Sequence, residues 1–443
     1  MIEVLRHPVF ARLFTAQLAA LLGTGLLTVA LALLAFDMAG DRAGAVLGTA
    51  FAVKMVAYIG LAPIANAAVE RVSRKAVLIG ADLVRVAITL AMPFIDAVWQ
   101  IYLLIFVLQA ASATFTPAFQ AVIPDLLSDE EDYTKALSLS RLAYDLENLV
   151  SPVLAALLLA LMSYHWLFGG TAIGFAASAV LVSLSAVPAR PASRKVRSFF
   201  ERVTRGTRIY LATPRLRGLL ALNLAAASVG AFIIVNTVVI VMGGDGHEQV
   251  HVAAALAAFG GGSMIAALSL PRLLRSISDR TLMTAAAVSL AALALFYALF
   301  LPPTGSFALL LMVWGLSGLL YSTVLTPAGR LLRHSAHAED RPALFTAQFA
   351  LSHACWLVTY PIAGWAGEAI GLSPTLAVLG MMALAASVAA LTLWPSDDAT
   401  ELDHDHHDLP PDHPHLQEFA ARGTRHRHVF VIDDEHRVWP TQG

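Results

Sequence analysis

Along most of this chain, apolar residues neither alternate nor keep to one helical stripe. They run on for twenty positions or more and stop at short polar breaks. Such runs occupy 9–36, 44–68, 76–96, 97–123, 138–162, 165–187, 217–242, 250–270, 282–302, 307–329, 344–370 and 372–394. About twenty apolar residues in a helix cross the ~30 Å hydrocarbon core of a bilayer. A helix apolar all round needs lipid or protein on every side. The pattern predicts an all-α membrane protein of twelve transmembrane helices. The first run exceeds the ~7–15 residues of a cleavable signal core, so it is expected to stay as a span.

Composition agrees. Of 443 residues, 58% are hydrophobic and 14% charged, with mean hydropathy +0.69, against about 25% charged in a soluble domain. The lipid bilayer is therefore the expected solvent, and neither nucleic acid nor a resident cofactor is expected. The single cysteine, Cys355, excludes an intramolecular disulfide or a multi-cysteine metal cluster. With alternating loops, every Lys and Arg except Arg42 and Lys54 falls on the side of the N-terminus or in the tail. The positive-inside rule then puts both termini in the cytoplasm.

Two halves resemble each other. SATFTPA (112–118) returns as STVLTPA (322–328), and HPVFARLFTAQLAA (7–20) aligns with TPRLRGLLALNLAA (213–226). Pro8 thereby matches Pro214, Gln17 matches Asn223, and Pro152 answers Pro361. The reading is an N-terminal six-helix bundle (1–188), a basic cytoplasmic linker (189–216), a C-terminal bundle (217–394) and a cytoplasmic tail (395–443). Two repeated six-span units make a carrier, with its site between them near mid-membrane. It is expected to act as a monomer.

Ionisable residues inside spans are costly and become functional candidates. SLSRLAYDLENLVSP (138–152) carries Asp145, Glu147 and Asn148. Asn148 shares a helical face with Asp145 at i+3, whereas Glu147 points elsewhere. Carboxylate and amide oxygens suit a divalent cation or a proton. FTAQFALSHACWLVTYPIAGW (345–365) places His353 at similar depth, with Cys355 nearby. Lys54, mid-span, needs a carboxylate partner such as Asp145, which points to a coupling or structural role. HEQVH (247–251) matches the His-Glu-x-x-His zinc-protease pattern. It sits beside a loop and shows no third ligand, so proteolysis ranks third.

After Trp394-Pro395 the apolar signal stops. DHDHHDLPPDHPH (403–415) contains His404, His406, His407, His413 and His415, and His426, His428 and His436 follow. Neutral imidazoles ligate nickel, cobalt, copper(II) and zinc. The end, HVFVIDDEHRVWP (428–440), alternates enough to predict a hairpin turning at DDEH.

NAAVERVSRK (66–75), between spans two and three, resembles the loop signature of the major facilitator superfamily, Gly-x-x-x-Asp-Arg-x-Gly-Arg-Arg/Lys. Glu70 stands for the acid, Arg71 for the base, and Arg74 and Lys75 for the closing pair, while Asn66 and Ser73 replace glycines. The resemblance implies that these four charges gate the inner face. SRLAYDLE (140–147), QFALSHACW (348–356) and HVFVID (428–433), with the His-rich tail, resemble NreB-type nickel-resistance exporters. That resemblance implies export of nickel(II) across a bacterial inner membrane, with protons as the coupling ion. The expected alternative is a facilitator exporting an organic compound, siderophore or drug, with a metal-buffering tail.

Overall fold

The computed structural model describes the chain except residues 1, 69–71, 121, 128–129, 189–198, 245–246, 300–305, 338–339, 397–400, 406–424, 434, 437 and 441–443. Side chains are also outside the description at 2–3, 61–68, 116–118, 120, 199–203, 244, 342, His404 and most of 124–149, Glu147 being described. A long helix occupies each of the twelve apolar segments. In the first half these are Pro8–Ala39, Ala43–Ala68, Arg74–Ala91, Val98–Gln120, Glu130–Leu159 and His165–Ser183. In the second they are Pro214–Val238, Gln249–Leu273, Asp279–Ala298, Phe307–Leu325, Arg341–Pro361 and Leu372–Leu393. Among the described residues, nine stretches are long and apolar enough to cross a membrane, the first (Pro8–Gly60) running through two helices.

The repeat seen in the sequence is a repeat of packing. In the first half, span one packs on spans five and six, two on four, and three on four and six. Every one of these pairs recurs six helices later: seven with eleven and twelve, eight with ten, nine with ten and twelve. Matched residues take matched places. Pro8 and Pro214 each open a helix at a first-turn position, where proline's missing N–H costs nothing. Gln17 and Asn223 are both buried.

The halves meet where span two packs along span eleven and span five along span eight. Lipid tails are as apolar as leucine, so such contacts depend on close packing and small residues rather than on water exclusion. Gly48 shows how close: a Cβ there would lie 2.6 Å from the Tyr360 carbonyl oxygen. Gly364 of span eleven lies equally tight against the Gly44 carbonyl. Spans seven and eleven end in π-helical turns, Val239–Gly244 and Ile362–Ala366, which an unbroken apolar run cannot foretell.

Span five starts at Glu130, eight residues before the apolar run, because a helix can continue into polar sequence beyond the lipid. The linker holds a helix, Phe199–Ala212, fastened to span eleven. Arg205 binds Asp340 through two hydrogen bonds of 2.6 and 2.8 Å, and Tyr210 donates to Gln348 at 2.6 Å.

The tail differs from its expected form. β1 (Glu401–Asp405) pairs antiparallel with β2 (Arg425–Val429), so His428 and Val429 of HVFVID take their strand partners upstream, at Leu402 and Glu401. A turn does form at DDEH: the Asp433 N–H donates to the His436 carbonyl, and the N–H groups of Glu435 and His436 donate to the Asp433 carboxylate. Local hydrogen bonding was readable there. The strand partner, some twenty residues upstream, was not.

Candidate functional site

Near the middle of the span two–span eleven seam, side chains from both halves converge. Lys54 and Tyr58 lie one turn apart on span two, and the Lys54 ammonium sits 5.7 Å from the centre of the Tyr58 ring. Across the seam, Tyr58 meets Phe349 at 6.0 Å and His353 at 5.5 Å between ring centres. His353 turns Nδ1 to the Phe349 carbonyl at 2.7 Å. Donation there leaves Nε2 as the basic nitrogen.

Among the described residues, the carboxylate in electrostatic reach of Lys54 is Glu147 of span five, which also lies against Gly25 of span one. His353 feels the same ammonium. Lys54 thus stands between a carboxylate of the first half and an imidazole of the second. Three half-buried groups on three helices form one electrostatic unit, and the sequence named each without showing that Glu147 was the partner. The side chains of Asp145 and Asn148 lie outside the described residues.

Toward the face opposite the termini, the site continues as a cluster of packed aromatic rings. Phe51 and Tyr360 are 5.0 Å apart, Trp356 and Tyr360 4.9 Å, and Tyr321 and Trp356 6.4 Å. Gly230 of span seven makes room for Trp356, whose ring a Cβ would meet at 2.8 Å. No motif marked these rings in the sequence; only spacing along spans two, ten and eleven hints at them. Cys355 is buried on another side of span eleven, in electrostatic reach of Tyr210 within the second half. Two residues of helix turn it about 200° from His353.

The face opposite the termini is closed. Arg42 reaches Glu368 at 2.6 Å and Trp365 donates to Thr49 at 2.9 Å, both across the halves. A cavity of about 450 Å³ lies there between Asp41, Arg42, Asn236, Gly243 and Glu368. At the termini face, Glu70 and Arg71 lie outside the described residues. Arg74 and Lys75 open span three, where the Ser73 hydroxyl caps the helix by accepting from the Ala76 N–H.

Two further features are structural. Asp82 and Arg85 form a buried ion pair, with the guanidinium between the rings of Phe115 (4.3 Å) and Phe175 (4.6 Å). In HEQVH, Glu248 is the residue before the first turn of span eight and His247 precedes it. The imidazoles of His247 and His251 stack on each other at 4.7 Å and against Phe307, an aromatic cluster at a helix start. Among the described residues, groups of three or more His, Cys, Asp or Glu close enough to share an ion occur in the tail: His426 with His428 and His436, and Asp433 with Glu435 and His436. His404 stands opposite His426 in the strand register, while His406, His407, His413 and His415 lie outside the described residues.

Residues 13–316 match the family model described as Major Facilitator Superfamily. Macrolide efflux protein A of Streptococcus pyogenes is 27% identical over 296 residues, covering 63% of this chain and 72% of that protein. The protein of the same name from Enterococcus faecalis is 27% identical over 280 residues, covering 61% and 85%. Among solved structures, the nucleoside transporter NupG superposes with TM-score 0.65 at 13% identity, covering 87% of this chain and 99% of that one. A bacterial homologue of the human lysosomal transporter Spinster, inward-facing and occupied, gives 0.66 at 12%, covering 88% and 96%. At these identities the structures show a shared fold.

Proposed function

The chain belongs to the Major Facilitator Superfamily and is a transporter, not an enzyme, and from that premise we propose that it exports a small organic compound from the cytoplasm by alternating access. The carrying observation is the centre itself: one lysine–glutamate pair and one imidazole flanked by Phe51, Tyr58, Tyr321, Phe349, Trp356 and Tyr360. An ammonium beside Glu147 opposes a bare dication, whereas ring faces and a compensated charge suit an amphiphile. The macrolide efflux relatives support the same class.

In this reading Glu147 exchanges between Lys54 and a proton. Protonated, it releases the Lys54 ammonium; deprotonated, it takes that ammonium back. Asp145 and Asn148 lie within one turn of it and extend the polar set. Glu70, Arg71, Arg74 and Lys75 close the cytoplasmic face when the opposite seam opens. In this reading the chain sits in a bacterial inner membrane, and the distribution of Lys and Arg supports an orientation with both termini in the cytoplasm.

A second reading, export of nickel(II) or a similar dication, is favoured by one observation: the histidine cluster of the tail at the termini face. Inverted membrane vesicles decide between the two. Proton-gradient-driven uptake of a macrolide, abolished by Glu147→Gln, is the expected result. Gradient-driven uptake of nickel(II) without the macrolide replaces the first reading by the second. Movement of neither compound overturns both.

A further inference from the structure

Side chains alternate across a strand, and one face of the tail ribbon bears Leu402, His426 and His428 while Asp403, Arg425 and Arg427 are exposed. Beyond β2, Phe430 and Ile432 join the hydrophobic core of the membrane bundles. The DDEH turn then brings His436 back against the strand. Ring centres of His426 and His428 are 5.0 Å apart, those of His428 and His436 5.1 Å, and one ligand nitrogen of each ring lies within 4.8 Å of the others. His426 and His436 are buried.

We propose that His426, His428 and His436 form a divalent transition-metal centre, separate from the transport pathway, and that filling it fastens the tail to the termini face of the second bundle. Metal-binding imidazoles typically donate their other N–H to a carboxylate or carbonyl, which fixes tautomer and ring orientation. Two of these rings are so held. His436 Nδ1 lies 2.9 Å from Asp433 Oδ1, and His428 Nδ1 lies 2.8 Å from the Val429 carbonyl. Each arrangement leaves Nε2 as the ligand atom. Three imidazoles without thiolate suit zinc(II), nickel(II), cobalt(II) or copper(II), and three protein ligands leave a fourth position open.

Fastening follows from Asp433. One oxygen of its carboxylate accepts from the backbone N–H groups of Glu435 and His436 and lies against the His436 ring. Its second oxygen faces His337 Nε2 at 3.4 Å, in the segment before span eleven, and its carbonyl accepts from Arg208 of the linker helix at 3.4 Å. The Arg215 guanidinium at the start of span seven lies 5.4 Å from the Trp439 ring. A metal that immobilises the His436 ring therefore immobilises a carboxylate already touching two parts of the carrier. The centre stands whichever substrate crosses the membrane.

The test is titration of the purified full chain with cobalt(II), nickel(II) and zinc(II), read by cobalt absorption and by hydrogen exchange. His426→Gln, His428→Gln and His436→Gln should each abolish the tightest site. Asp433→Asn, which keeps all three ligands, should weaken it about 10–100-fold. Replacing His406, His407, His413 and His415 together by Ala should leave it in place. Metal should slow exchange in β1, in β2 and at 335–337 and 340–344. Titrations unchanged by the three single substitutions, or a tightest site lost only in the fourfold variant, overturn the centre. Tight binding without slowed exchange at 335–337 and 340–344 overturns the fastening.

Discussion

Gly48→Ala places a methyl where the seam between the halves has no room. Its Cβ would stand 2.6 Å from the Tyr360 carbonyl oxygen and 3.0 Å from Gly364 Cα. The backbones must separate by at least 0.4 Å at this point merely to reach 3.0 Å from the oxygen, a distance still tighter than ordinary contact. Both neighbours are backbone and cannot rotate away. Overpacking of this kind costs about 1–3 kcal/mol, and the cost falls on the state in which this seam is closed. Opening the seam removes it. The equilibrium should therefore move toward the open state by about 5–150-fold. Alanine's better helix propensity, worth about 1 kcal/mol, applies to both states and cancels. The control is Gly60→Ala in the same helix, where the added methyl meets nothing within 4 Å. Spin labels at Ala39 and Ala369 flank the Arg42–Glu368 bridge, and electron–electron resonance reads the distance between them. Gly48→Ala should populate a longer distance that Gly60→Ala leaves unpopulated. Identical distributions would refute the argument that the Gly48–Gly364 contact holds this face shut.

Other expectations concern single interactions. Arg42→Gln should change the same distance distribution only slightly and lose its effect in high salt, because the Arg42 side chain is 75% exposed and such pairs contribute about 0–1 kcal/mol. Asp340→Asn should destabilise the protein far more, about 3–5 kcal/mol, since Asp340 is only 2% exposed and binds Arg205 by both oxygens; thermal unfolding in detergent measures it. Glu147→Gln should stop transport while preserving thermal stability, and wild-type transport would remove Glu147 from the coupling. Glu248→Gln should transport as wild type, because Glu248 makes no side-chain capping bond at the start of span eight; loss of activity would assign HEQVH a role.

The spans were legible because lipid imposes one requirement, an unbroken apolar length, on each of them separately. The repeat was legible because Pro8 and Pro214 perform the same local task at a helix start. The central site was legible only as a set of names. Lys54, Glu147 and His353 stood out as charges in apolar runs, but which carboxylate meets the lysine depends on the rotation of three helices about their axes, to which an all-apolar sequence carries no signal. For that reason the sequence could offer Asp145 only as one choice of partner, and among the described residues the carboxylate in reach of the lysine is Glu147. The aromatic lining was hidden for a related reason: Tyr58 or Trp356 reads like any other apolar residue until its neighbours across the seam are known. In the tail, the DDEH turn was local and visible, whereas pairing of β2 with β1 was not.

The bond between Arg205 and Asp340, with Tyr210 on Gln348 beside it, assigns the linker helix mechanically to the second half. Phe199–Ala212 must travel with span eleven whenever the halves rock. The linker helix then counts as part of the second body. A gene divided within codons 189–198 and expressed as two polypeptides would keep the linker helix on the same product as its partners Asp340 and Gln348. Such fragments should reassemble into a working carrier, whereas a cut at 213 would orphan the helix from the body it serves.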